Sequence, residues 1–264
     1  PENELQLTKN TQPAILTVSY SIFKVLKDEF DFDFSSFKYF AGHSLGEYSA
    51  LVCSQSLNFN DAIYLLHERG KAMQDAVPLG KGSMIAIIGM RVAEILDLLK
   101  SYNNNNGVCE IANDNAEGQV IVSGNKENVS SLQILLKEKK IKSIPLKVSA
   151  PFHCSLMKPA ADIMKEKIDK TDFKVPKYPI VNNVNALPET NPVKIKDLLY
   201  EQIFSTVRWR ETLVNISNND ISNFIEIGPG KVLSGMVKRT IKNANSFSIN
   251  SIADINNLIN EFKK

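Results

Sequence analysis

Residues 42–46 read Gly42-His43-Ser44-Leu45-Gly46 and fit G-x-S-x-G, a pattern that can hold a serine hydroxyl on a sharp turn. The pentapeptide alone is a weak signal, but its setting strengthens it. A short apolar run, Lys38 to Ala41, precedes Ser44, and a helical pattern, Leu45 to Ser54, follows it. Strand, tight turn and helix are the context of a nucleophile elbow, with the serine Oγ at its tip. Gly42 and Gly46 are expected because a side chain at either position would crowd the turn and the helix behind it. The alternative is a serine that only caps the helix from Leu45, and the residues leave both open. A serine nucleophile also needs a base, because a hydroxyl attacks poorly at neutral pH. Of the three histidines, His43 adjoins the serine, where successive residues of a turn diverge. His67 lies mid-helix beside Leu65 and Leu66 and reads as a packed or surface residue. His153 sits in the proline-containing loop Ser149-Ala150-Pro151-Phe152-His153-Cys154, at a junction between segments, and is the best placed.

Composition excludes several other chemistries. The chain has 264 residues, 43% hydrophobic and 23% charged, which is ordinary for a globular protein able to bury a core without staples. A net charge of +2 is too mild to suggest nucleic acid or an anionic membrane as the partner. Cys53, Cys109 and Cys154 are widely spaced and form no CxxC pair, which points to a reducing compartment. With only three histidines and no clustered ligands, a structural metal site is not expected. No apolar run approaches the ~20 residues that span a bilayer, and Pro-Glu-Asn-Glu has no signal-peptide character. A cytoplasmic chain is expected.

The elements that must position Ser44 and His153 can be read from periodicity. Ile15, Val18, Ile22, Val25, Leu26 and Phe30 predict an amphipathic helix over Thr11 to Glu29, with Pro13 in its first turn. Asn60 is expected to cap a helix that runs to Ala76. After the break Gly80-Lys81-Gly82 come a strand (84–88), a helix (92–100), two strands (108–112 and 119–122), a helix (127–139) and a strand (142–146). That β-α-β-β-α-β order predicts a ferredoxin-like subdomain over 81–148, with a polar loop tip at Asn103 to Asn106. It is inserted into an α/β core, 1–80 and 149–264, with a mostly parallel sheet resembling a hydrolase. The core continues with a helix from Ser155 to Lys170, a strand at 179–181, helices at 195–204 and 209–217, and a strand at 223–226. Gly228-Pro229-Gly230 reads as a turn into a last helix, Lys231 to Ile241, because it lacks phosphate-loop spacing. Lys137 to Lys142 reads as a solvated helix end, or more weakly as an attractor for an anionic partner.

Five segments, AGHSLGEYSALV, HERGKAMQDAVP, VSAPFHCSLMKPAAD, PIVNNV and IEIGPGKVLSGM, occur in the order seen in malonyl-CoA:acyl carrier protein transacylases of fatty acid synthesis. The resemblance covers essentially the whole chain, insert included. It implies that Ser44 takes the malonyl group as an ester and that His153 is the base, oriented by the main-chain carbonyl of Gln202 rather than by a carboxylate. It implies that Leu45 supplies one backbone N–H of the oxyanion hole and that Arg69 anchors the malonyl carboxylate. A planar guanidinium suits that task, since it grips a carboxylate through two parallel bonds and keeps its charge when buried. Without the resemblance Arg69 reads as a surface residue on a helix. Phe152 resembles the residue that narrows the pocket toward an unbranched malonyl unit, and Gln12 and Asn182 match polar residues lining the same cleft.

The implied partners are malonyl-CoA and acyl carrier protein, with no resident metal or redox cofactor and a monomeric enzyme. Coenzyme A and phosphopantetheine enter as parts of substrates. The family also carries, about fifty residues upstream, a strand and a glycine-glutamine-glycine loop that supplies the other oxyanion donor. No such loop occurs in residues 1–264, so an open sheet edge and half an oxyanion hole are expected. Two rival readings are a serine hydrolase or thioesterase of α/β-hydrolase type and an impaired fragment that only binds carrier protein. The hydrolase expects an acidic triad member between serine and histidine and the histidine last. Here the insert lies between them, and more than a hundred residues follow His153.

Overall fold

A computed structural model describes residues 1–102, 107–148 and 150–262; the loop tip expected at Asn103 to Asn106, and Ser149, lie outside the described residues. The chain runs α1 (Glu2–Leu5), α2 (Thr8–Asp28), β1 (Phe40–Ala41), α3 (Gly46–Cys53) and α4 (Phe59–Asp75). Next come β2 (Gly82–Ile88), α5 (Val92–Tyr102), β3 (Cys109–Ala116), β4 (Gln119–Asn125), α6 (Lys126–Glu138) and β5 (Lys142–Pro145). A 3-10 turn, Ser155–Met157, leads into α7 (Lys158–Lys170), β6 (Ile180–Val181), β7 (Pro188–Glu189), α8 (Pro192–Gln202) and α9 (Trp209–Ser217). The last elements are β8 (Asn223–Ile227), α10 (Val232–Thr240), β9 (Asn245–Ile249) and α11 (Ile252–Phe262). Among the described residues no helix is long and apolar enough to cross a membrane.

The α/β core holds its strands in two pieces. β1 pairs in parallel with β6, β7 joins β6 antiparallel, and β8 pairs in parallel with β9. Among the described residues neither β1 beyond β6 nor β8 beyond β9 has another strand partner. Both strands line one apolar groove of about 680 Å3, walled also by Phe23 and Phe34. That is the open edge expected from the sequence.

Strands β2 to β5 form a separate antiparallel sheet in the order β3-β4-β2-β5, the ferredoxin-like arrangement. Alternation along β2 buries both faces. Ile85 and Ile87 pack with Ile95, Val122, Leu132 and Leu136 under the two helices, while Met84 and Ala86 pack with Ala112 and Ile121 on the other side. Phe152 packs against this second face and also against the main core, so the junction loop is a seam between the two. Register shifts in β3 free its backbone to reach the core. Asp114 N–H donates to the Val207 carbonyl at 2.9 Å, and Val207 N–H donates to the Ala112 carbonyl at 2.9 Å.

Helices α2 and α4 meet closely, which decides where Arg69 lies. A Cβ on Gly70 would come within 2.5 Å of Lys9 Cα, so only glycine permits the approach. Pro13 lies inside α2 and not in its first turn, because the helix begins at Thr8. Proline cannot bond the Lys9 carbonyl, and His67 Nδ1 from α4 donates to that oxygen instead, at 3.1 Å. The cap of α4 is Asn58 and not Asn60: Asn58 Oδ1 accepts from Asn60 N–H at 2.8 Å. The helix after Gly230 is also not the last. β9 and α11 follow it, burying Ile249, Ile255 and Leu258 against Phe23, Leu26 and Phe34.

Candidate active site

Between β1 and α3 the chain turns through Ser44 at φ +52°, in the left-handed region a serine adopts only under constraint. A Cβ on Gly42 would lie 1.9 Å from the Gly46 carbonyl oxygen, so glycine is obligatory there. Gly46 departs from expectation, because a Cβ on it meets nothing within 4 Å. The turn is pinned from the neighbouring strand. Asn183, two residues beyond β6, accepts the Ser44 N–H on Oδ1 at 2.7 Å and donates Nδ2 to the Gly42 carbonyl at 2.8 Å. The Ser44 hydroxyl is not a helix cap, since α3 is capped at Leu45 without a side-chain bond. The Leu45 N–H has no acceptor among the described residues.

His153 is also held at positive φ, +57°. Its Nε2 lies 2.7 Å from Ser44 Oγ, and its Nδ1 lies 2.9 Å from the Gln202 main-chain oxygen. A carbonyl only accepts, so Nδ1 carries the proton and Nε2 is free to take one from the serine. Burial pushes the imidazole down to about 3, and the Arg69 charge adds to that; the bond to the Gln202 carbonyl acts in the opposite sense. The ring is therefore neutral when it meets Ser44. The insert grips the loop on either side: Ser123 Oγ donates to the Phe152 carbonyl, and Glu110 accepts from both N–H and Oγ of Ser155, each at 2.7 Å. The other histidines face elsewhere. His43 Nε2 pairs with Asn115 Oδ1 at 2.8 Å, and exposed His67 serves the α2–α4 contact.

Arg69 is 1% exposed and is no surface arginine. Its Nη1 donates to Gln12 Oε1 at 2.6 Å, and its Nη2 donates to Gln202 Oε1 at 2.8 Å and to Ser44 Oγ at 3.1 Å. Its Nε is buried with no hydrogen-bond partner, and the guanidinium carbon lies 5.8 Å from the centre of the Tyr48 ring. No carboxylate among the described residues makes a direct ion pair with it. Such a cation, held by neutral oxygens alone, is suited to an anion that arrives with a ligand.

Gln12, Ser44, Leu45, Arg69, His153 and Gln202 thus converge, and Phe152 adjoins the base at the seam with the insert. Asn182 does not join them. Its amide donates at 2.7 Å to both Asn185 Oδ1 and the Leu187 carbonyl, so it braces its own loop. The neighbour Asn183 is the residue that reaches the elbow. Two further buried residues were not anticipated in the sequence: Asn183 itself and Glu47, whose Oε2 accepts from Gln202 Nε2 at 2.7 Å. A charged side chain immediately before the mostly apolar run Tyr48 to Val52 was the available signal. A cleft of about 570 Å3 opens onto His153, lined also by Lys100, Val184, Phe204, Thr206 and Arg208.

The model of the acyl transferase domain matches residues 1–259. Malonyl CoA-acyl carrier protein transacylase of Bacillus subtilis is 40% identical over 263 residues, covering 99% of this chain and 81% of the relative. The Escherichia coli K12 transacylase is 40% identical over 251 residues, covering 95% and 80%. Among solved structures, an acyl carrier protein S-malonyltransferase of Vibrio cholerae superposes with a TM-score of 0.93 at 40% identity, over 98% of this chain and 83% of that one. A malonyl-transacylase solved in complex with its type II PKS acyl-carrier protein gives 0.94 at 38% identity, over 99% and 84%. A serine, a neutral histidine and a buried arginine in contact, on a fold shared along nearly the whole chain, place this protein in the acyl transferase family.

Proposed function

We propose that the chain moves a malonyl group from malonyl-CoA to the phosphopantetheine thiol of acyl carrier protein through an ester on Ser44. The observation that carries this is the placement of one oxygen between two groups of different purpose. Ser44 Oγ has His153 Nε2 at 2.7 Å and Arg69 Nη2 at 3.1 Å. In the first half-reaction Oγ attacks the thioester carbonyl while Nε2 removes its proton, and the C–S bond breaks. The imidazolium returns that proton to the departing coenzyme A thiolate. In the second half the carrier's thiol attacks the Ser44 ester, His153 takes the thiol proton, and the serine leaves reprotonated. The Gln202 carbonyl orients and stabilises the imidazolium at each stage in place of a triad carboxylate. The Leu45 N–H points to a role as an oxyanion donor, worth about 10²–10³ in rate in comparable sites.

Arg69 gives the reaction its acyl specificity. The malonyl carboxylate would complete the coordination of a guanidinium that protein groups only partly satisfy. A simple ester hydrolase needs no such cation beside its nucleophile. The pantetheine arms belong to the substrates, and the chemistry uses these side chains together with the Gln202 carbonyl and the Leu45 N–H. A reducing compartment such as the cytoplasm fits Cys53, Cys109 and Cys154, all of them free thiols. The test is an initial-rate study with both substrates varied. Parallel double-reciprocal lines, with transfer abolished in Ser44→Ala, support the Ser44 ester. Intersecting lines, or transfer that survives the substitution, overturn it.

A further inference from the structure

Glu47 stands in the first turn of α3, only 2% exposed, and has no part in the proton transfers above. Its Oε2 accepts two hydrogen bonds, from Gln202 Nε2 at 2.7 Å and from the Asn183 main-chain N–H at 3.1 Å. We propose that Glu47 is a positioning residue for acyl-group selection: it fixes which way round the Gln202 amide lies and thereby aims Arg69 at the malonyl carboxylate. The inference rests on the malonyl-transfer reading of the same site.

The two ends of a primary amide have nearly the same shape and opposite hydrogen-bonding character. In the observed orientation Gln202 turns Oε1 to Arg69 Nη2 at 2.8 Å and Nε2 to the acceptors Glu47 Oε2 and Ser44 O, the latter at 3.1 Å. A flip would set NH2 against the guanidinium, donor to donor, and a carbonyl against a carboxylate, acceptor to acceptor. Of the acceptors around Nε2 among the described residues, Glu47 is the nearest and the only carboxylate. A third, Asn183 Oδ1, is 3.4 Å away and already occupied by the Ser44 N–H. Glu47 therefore holds the NH2 end of the amide, as Arg69 holds the oxygen end, and the two together break its symmetry. It also acts on the guanidinium charge at one remove, through Gln202, and so leaves the arginine edge free of a competing carboxylate. Through Asn183 the same oxygen braces the residue that holds the Ser44 turn.

The test compares transfer of malonyl and acetyl groups from their coenzyme A thioesters by Glu47→Ala and Glu47→Gln. Glu47→Ala releases the amide and is expected to lower malonyl transfer by about tenfold, mainly through KM, as for a lost buried hydrogen bond. Acetyl transfer, which brings no carboxylate for the guanidinium to grip, is expected to change by less than about threefold. Glu47→Gln keeps a carbonyl oxygen able to accept both bonds and is expected to stay within about threefold of the native chain for both groups. Should Glu47→Ala not fold, Glu47→Asp, which retracts the carboxylate by one methylene, carries the same expectation. Equal losses for both acyl groups, no loss at all, or a Glu47→Gln variant as impaired as Glu47→Ala would each overturn the role of Glu47. Failure of the unsubstituted chain to transfer malonyl would instead overturn the reading on which it rests.

Discussion

Replacing Arg69 by Ala separates recognition of the malonyl carboxylate from the acyl-transfer chemistry. Two charge-assisted bonds from a buried guanidinium to a carboxylate are worth about 1.5–3 kcal/mol each. Water entering the vacated space recovers part of that, so about 3–4 kcal/mol is expected to be lost for the malonyl group, or 10²–10³-fold in kcat/KM at about 1.4 kcal/mol per factor of ten. Other consequences of the substitution fall on every acyl group alike. Gln12 Oε1, Gln202 Oε1 and Ser44 Oγ each lose a donor, and together these losses are worth about tenfold. The His153 imidazole is also released from the Arg69 charge that helps depress it. The ratio of malonyl to acetyl transfer isolates the carboxylate contribution. It should fall by about 10²–10³-fold when both thioesters are assayed with the same pantetheine thiol acceptor. An unchanged ratio, with both rates reduced equally, would mean that Arg69 supports the elbow and does not recognise the acyl group.

Gly42→Ala must place a Cβ 1.9 Å from the Gly46 oxygen and should cost at least 1–3 kcal/mol in denaturant unfolding, roughly the price of overpacking. Gly46→Ala meets open space at the start of α3, so its stability should be unchanged or up to about 1 kcal/mol higher. Similar losses in the two variants would contradict the geometry of the turn. His153, folded at about 3 against an ordinary 6.5, binds a proton on unfolding throughout that interval. Stability of the native chain relative to His153→Gln should therefore fall as pH drops from 6.5 to 4.5, by about 2 kcal/mol. Glu47 has the opposite sign. Burial raises its carboxyl to about 7 from 4.5, so the folded state holds the extra proton. The native chain should lose stability relative to Glu47→Gln as pH rises from 4.5 to 7, and urea midpoints across that range that run parallel for the two chains would contradict it.

The elements that carry strong local periodicity were legible from the residues alone. The insert was read from strand and helix patterns whose order admits one simple topology, and its sheet order follows that pattern. G-x-S-x-G gave the turn at Ser44, and a histidine in a junction loop gave the partner 2.7 Å away. What escaped depends on packing between distant segments. Asn182 and Asn183 are identical in type and adjacent, and only the path of the chain beyond β6 decides which faces Ser44 and which turns inward. Glu47 reads as an ordinary charged residue until α3 is seen to be buried on every side. Gln202 acts through both its main chain and its side chain, and only the main-chain contact had been expected. Pro13 reads as a helix start because its missing N–H is usually tolerated there; the bond from His67 makes it equally acceptable inside α2. Ile252, Ile255, Ile259 and Phe262 carry a helical spacing that was legible, yet the last helix had been placed before them.

The central claim is a covalent malonyl ester on Ser44, and the most direct measurement is the intact mass of the folded chain after brief incubation with malonyl-CoA, followed by mapping of the labelled peptide. One malonyl group, located on the peptide that contains Gly42-His43-Ser44 and absent from Ser44→Ala, is the expected result. A folded chain that gains no mass, or a label that persists in Ser44→Ala, would contradict it.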